Sequence, residues 1–112
     1  TEPEAWAATW RALIRWGHAQ GVDWLIGRRL PSMVSKLGLG RPQAGTDVQN
    51  IRGGDRGALY FKLFFAEVRD RVLDSGQLDR TTLDAAAGLL DDPDYWTQCW
   101  MMTAVWVHKA RA

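Results

Sequence analysis

The chain has 112 residues, of which 14 are basic and 13 acidic, giving a formal net charge of +1. A chain of that length makes one domain, residues 1–112, with one modest core that buries roughly 60–70% of the surface its unfolded form exposes. Charge so near balance supplies no uniform field for a nucleic-acid backbone or an anionic membrane, so neither is an expected partner. Cys99 is the sole cysteine, which excludes an internal disulfide and suits a reducing cytoplasm, with a buried inert thiol favoured over a nucleophile. The C-terminal apolar run falls short of the roughly 18 residues needed to span a bilayer. Seven tryptophans are many for this length and call for a large apolar surface to pack against.

In chain order, TEPE offers Thr1 as a helix cap, Pro3 in the first turn and Glu4 in the capping-box position. Trp6, Trp10, Leu13 and Gly17 then share one face while Arg11 and Arg15 point away, which predicts an amphipathic helix to about Gln20, closed by Gly21. Asp23 can cap a second helical piece that Pro31 breaks or restarts, with Ser32 to Leu37 as a short third turn ended by Gly38. LGRPQAG reads as a loop and TDVQNI as a short edge strand. After the loop RGGDRG, Asp55 caps a long helix whose wide apolar face carries Leu59, Phe61, Leu63, Phe64, Phe65, Val68 and Val72. Gly76 ends it, and Thr81 or Thr82 starts a short helix through Leu83, Ala87 and Leu90.

The last segment, CWMMTAVWVHK, is apolar on both faces of any strand it forms. Its unbroken apolar run with Val105, Trp106 and Val107 favours a strand from about Gln98. The alternative is a helix from Pro93 to Lys109, capped by Asp92 and ended by the basic Lys109 and Arg111. The predicted fold class is therefore α+β and predominantly helical, with four to five helices and two strands, at about 46–51 and 98–108.

Chemistry-bearing motifs are sparse. Gly53-Gly54-Asp55-Arg56-Gly57 follows a strand and precedes a helix, the setting of a phosphate-binding loop, but its spacing matches no such motif and Asp55 would repel an anion. A turn with a capped helix is the expected reading. His18, His108 and Cys99 have no paired ligand spacing, so no metal site is expected. Asp91, Asp92 and Asp94 read as caps and a solvated turn in preference to a cation site. Arg28 and Arg29 have the fork geometry to clamp a carboxylate or phosphate, against the plainer reading of a surface pair whose stems cover apolar area.

In that order and texture, GRRLPSMVSKLGL, TDVQNI and DDPDYWTQCWMMTAVWVHK together resemble the C-terminal part of class I S-adenosylmethionine-dependent methyltransferases that act on small, natural-product-like acceptors. The resemblance implies that the two strands are the last two of that family's sheet, strand six at an edge and strand seven antiparallel in the interior. It implies that S-adenosylmethionine is the cofactor of the full-length enzyme. No cofactor is expected on this chain alone, because the family's glycine-rich loop after strand one, the acidic residue at the end of strand two and the residues after strand four have no counterpart here. The chain is then a C-terminal, substrate-side domain, inactive alone, whose partners are a small-molecule acceptor and a missing N-terminal cofactor domain. No catalytic residue can be carried over. Residues expected to line the acceptor pocket are Trp16, His18, Asp23, Arg28, Arg29, Tyr60 and Phe64, chosen for chemistry and for position over the sheet edge. An incomplete sheet also predicts a homo-oligomer that covers the exposed edge. The rival reading is a noncatalytic, Trp-rich helical module that docks on a partner protein; a stand-alone enzyme would require turnover without any other chain.

Overall fold

The computed structural model describes residues 2–109. Its elements, in order, are α1 (Glu4–Ala19), α2 (Ile26–Ser35), β1 (Gln43–Asp47), β2 (Asn50–Arg52), α3 (Arg56–Asp74), α4 (Arg80–Leu89), β3 (Trp96–Gln98) and β4 (Met102–Trp106). The fold class is α+β and predominantly helical, with four helices and two small antiparallel sheets. The last segment is strand, so the helix from Pro93 to Lys109 does not form.

Each of the two predicted strands is divided. Gln43–Asp47 pairs antiparallel with Met102–Trp106, and Asn50–Arg52 pairs antiparallel with Trp96–Gln98. Val48 and Gln49 separate the two ladders on one side, whereas Cys99, Trp100 and Met101 separate them on the other. One ribbon thus runs the whole way, with one extra residue on the second strand, which is the definition of a bulge. The Cys99 amide still donates to the Gln49 carbonyl at 2.8 Å, so the ladders stay joined. β1 starts at Gln43, inside the segment expected to be loop, because its partner strand holds it: the Trp106 indole N–H donates to Gln43 Oε1 at 2.9 Å, and Thr46 and Thr103 share a hydroxyl hydrogen bond at 3.1 Å. Cross-strand side-chain contacts of this kind override the weak strand propensity of Gln-Ala-Gly.

The core lies where α1, α3 and α4 meet. Leu13, Val72, Leu83 and Ala86 are wholly buried there, with Trp6, Phe61, Phe65 and Leu90 around them. α1 starts at Glu4 with Pro3 in the cap position, one place earlier than a first-turn proline, and Glu4 pairs with Arg11 at 2.6 Å. The Thr1 cap and the basic Arg111 lie outside the described residues. On α3 the buried stripe is Ala58, Phe61, Phe65, Val68 and Val72, a narrower face than predicted; Leu59 and Leu63 are exposed. α4 begins before Thr81, since Asp79 is the cap and its Oδ1 accepts the Thr82 amide at 2.7 Å.

The turn Gly53-Gly54-Asp55 is a structural joint. Asp55 Oδ1 accepts from the Ala58 amide at 2.8 Å and its Oδ2 from the Arg52 amide at 2.9 Å, tying β2 to the start of α3. Gly53 N–H donates to the Tyr95 carbonyl and Gly54 N–H to the Leu90 carbonyl, which fastens the same turn to the end of α4. Asp92 Oδ1 accepts the Asp94 amide at 2.9 Å and Asp91 pairs with Lys62 at 2.6 Å, so the acidic cluster works as turn and ion pair.

α2 and the β1/β4 ribbon form an arm beside this core. α2 runs through Pro31 without a break and buries no residue. It lies against β4, where Gly27 sits so close to Thr103 that an added Cβ would be 3.0 Å from Thr103 Oγ1. The β4 face carrying Thr103 and Val105 is half-buried, whereas Met102, Ala104 and Trp106 on the opposite face are exposed. Burial on both faces, expected of so apolar a strand, is therefore not supplied by the described residues. The radius of gyration is 17.4 Å, against about 13 Å for a compact domain of this length. The accessible surface is 8094 Å², against roughly 6,200 Å² for a compact monomer of this mass.

Candidate functional site

The bulge sets the site. An inserted residue shifts the pleat by one place and re-aims a side chain, and Trp100, at the middle of the three unpaired residues, turns toward the helices. Its ring is edge-on to Phe64 at 5.3 Å, Phe61 at 5.5 Å, Trp10 at 5.6 Å and Tyr60 at 5.8 Å. Edge-to-face pairs at these distances add about 0.5–1.5 kcal/mol each beyond area burial, so the indole is held firmly. Trp10 in turn lies parallel to Phe64, with centroids 5.9 Å apart. Five of the seven tryptophans, Trp6, Trp10, Trp16, Trp24 and Trp100, are buried or half-buried in this way, and the aromatic set largely supplies its own packing surface.

Half-buried Trp100 stands between two open clefts. The larger, about 680 Å³, lies between α1, the segment leading into α2 and the bulge; its walls include Trp10, Ile14, Trp24, Leu25 and Trp100. Trp24 is fixed by its indole N–H, which donates to the Ile14 carbonyl at 3.1 Å, and by its ring, which rests on Gly17. The smaller cleft, about 340 Å³, lies between the ribbon and the start of α3, and its wall includes Asp47, Gln49, Arg56 and Tyr60. Cys99 borders both. Burial pushes its thiol pKa up, with the Asp47 charge acting the same way, although the Trp100 backbone N–H opposes them. A thiol so placed stays protonated and is a poor nucleophile. Burial also raises the Tyr95 phenol, which packs against Trp6.

The structure brings together two of the seven residues expected to line a pocket. Tyr60 borders the smaller cleft, and Phe64 backs Trp10 and Trp100 from behind. Trp16 lies on the other side of α1, with the Arg71 guanidinium 5.7 Å over its ring. His18 is exposed in the last turn of α1. Asp23 accepts the Leu25 amide at 3.0 Å and pairs with Arg29, so both serve the turn into α2; Arg28 is exposed on α2. Sequence reasoning passed over Trp10, Trp24 and Trp100 as cleft walls. Trp10 was legible only as core, and Trp100 is aimed by a bulge that no residue type announces.

Among the described residues no group of three or more His, Cys, Asp or Glu side chains could hold a metal ion, and no helix is long and apolar enough to cross a membrane. No family model, curated protein or solved structure matches the chain.

Proposed function

We propose that this chain is the substrate-side, C-terminal portion of an S-adenosylmethionine-dependent methyltransferase for small molecules, with the clefts around Trp100 as its share of the acceptor pocket. The observation that carries the reading is β4. It is an uncharged, apolar strand that pairs antiparallel with the polar, exposed β1 and, among the described residues, has no strand on its other edge. A strand of that composition belongs inside a sheet covered on both faces, the position the resemblance implies for the last strand of that enzyme class. The helices α1, α3 and α4 then form a cap beside the sheet end, and catalysis comes from holding the acceptor in line with a methyl group bound elsewhere. A cytoplasmic setting accompanies this reading, consistent with the single thiol.

Calorimetric titration with S-adenosylmethionine tests it: no saturable binding to this chain alone is expected, and tight binding would overturn the division of labour. The coding sequence upstream of Thr1 is a second test, where a strand followed by a GxGxG-like turn is expected. The rival, a Trp-rich docking module, draws less support, because most of the tryptophans pack inward and only Trp96 and Trp106 are exposed.

A further inference from the structure

Three features of the larger cleft bear on what it takes. Its volume, about 680 Å³, falls within the roughly 300–1,000 Å³ of small-molecule pockets. Its walls are aromatic and rigid. Trp10 is stacked on Phe64 on one face, Trp100 is pinned edge-on by four rings, and Trp24 is locked by its hydrogen bond to Ile14 and its seat on Gly17. Trp24 and Trp100 meet at 6.4 Å with their planes tilted by 40°, so the wall they make is angular. Aromatic faces and edges at steep mutual angles suit a flat ring system, which meets one ring by stacking and the next by its edge.

The rim decides the charge. Arg11 is the cationic side chain on the cleft, and its guanidinium is already engaged by Glu4 at 2.6 Å. Glu2 adds a negative charge at the rim. An anionic ligand would leave water to find a cation that is neutralised and a carboxylate that repels it. An anion would also be desolvated against indole without a compensating partner, which is costly.

We propose that the larger cleft is a binding site for a flat, ring-containing small molecule that carries no negative charge, received on the walls of Trp10, Trp24 and Trp100. This deepens the acceptor-side reading above and rests on it for biological meaning. The test uses no S-adenosylmethionine, so failure here and failure of that reading are distinguishable. The probe is N-phenyl-1-naphthylamine, a neutral fluorescent ring system, titrated into the 112-residue chain with excitation of tryptophan and emission read from the probe. One saturable site is expected. The sulfonated analogue, 1-anilinonaphthalene-8-sulfonate, is expected to bind at least tenfold more weakly, as is dodecanol measured by competition.

Two variants locate the site. Gly17→Ala places a Cβ 2.5 Å from the Trp24 ring, displacing that wall, and Leu25→Glu puts a charge on an exposed cleft position without touching the core. Each is expected to weaken the neutral probe at least tenfold while circular dichroism stays that of the parent. Leu25→Glu keeps the test valid if Gly17→Ala fails to fold. Equal binding of the sulfonated and neutral probes would overturn the proposal, as would unchanged binding by folded Leu25→Glu. Binding that disappears as protein concentration rises would also overturn it, by showing the cleft to be a contact between copies.

Discussion

The joint at Gly53 supports a graded prediction about stability. Gly53 packs against the backbone of Asp92: a Cβ built there would meet the Asp92 carbonyl oxygen and lie 2.6 Å from its carbon. Neither partner is a flexible side chain, so Gly53→Ala must push the turn between β2 and α3 off the end of α4. The Gly53 amide would then lose the Tyr95 carbonyl at 3.0 Å and the Gly54 amide the Leu90 carbonyl at 2.8 Å. Two hydrogen bonds at about 1 kcal/mol each, with about 1–3 kcal/mol for overpacking, give a loss of about 3–5 kcal/mol. Gly54→Ala meets nothing within 4 Å but sits at φ +87°, so only the left-handed backbone penalty of about 1–2 kcal/mol applies. Gly88→Ala lies in helix α4 with open space around it and should gain about 0.5–1 kcal/mol. Urea unfolding of the three variants, with slopes of about 1–3 kcal/mol per M, should lower the midpoint most for Gly53→Ala, less for Gly54→Ala, and raise it for Gly88→Ala. A Gly53→Ala midpoint equal to that of Gly54→Ala would refute the joint.

Thr9 is fully buried and its hydroxyl has no hydrogen-bond partner among the described residues, so Thr9→Val, which keeps the shape, should stabilise by about 1 kcal/mol; a lower melting temperature would contradict this. Backbone N–H donors hold the two cap carboxylates below their ordinary pKa of 3.8, from Arg52 and Ala58 at Asp55 and from Thr82 at Asp79. Their contribution is therefore fully present above that value and lost as pH falls through the lower folded values. The double variant Asp55→Asn, Asp79→Asn should show a shallower loss of stability on acidification below about pH 4, and an unchanged slope would count against the caps. The open edge of β4 and the bare face of Met102, Ala104 and Trp106 predict self-association of the chain on its own; light scattering that finds only monomer at high concentration would exclude it.

The helices were legible because their signals are local. Asp55 and the apolar spacing from Phe61 to Val72 announce α3 within its own residues, and the same holds for Trp6, Leu13 and Gly17 in α1. The errors at helix starts are equally local: Asp79 outcompetes Thr81 as a cap because its carboxylate reaches the Thr82 amide. α2 was harder, since Pro31 removes one amide donor but leaves a helix of ten residues that leans on β4. Two strands were legible as apolar or edge-like runs, but their ends depend on partners more than 40 residues away, such as Trp106 on Gln43. Tertiary contacts of that range leave no trace in a window of sequence.

The site was the least legible part, and the bulge is the physical reason. A strand side chain faces one way or the other according to its place in the pleat, so a single extra residue between Gln98 and Met102 decides where Trp100 points. Without the bulge the register that sets Thr103 and Val105 toward α2 would be continuous with β3, and Trp100 would take the facing its neighbours dictate. With it, one ribbon serves two surroundings. The β2/β3 end seals the helical core through buried Ile51, the β1/β4 end presents an apolar strand with a free edge, and the change of facing between them delivers an indole to the clefts. The pocket residues chosen from the sequence, for their chemistry and their expected place over the sheet edge, are spread over α1, the turn into α2, α2 and α3. The structure places the cleft walls on aromatic residues instead, since a site formed at a register shift takes its character from whichever side chain the extra residue turns inward.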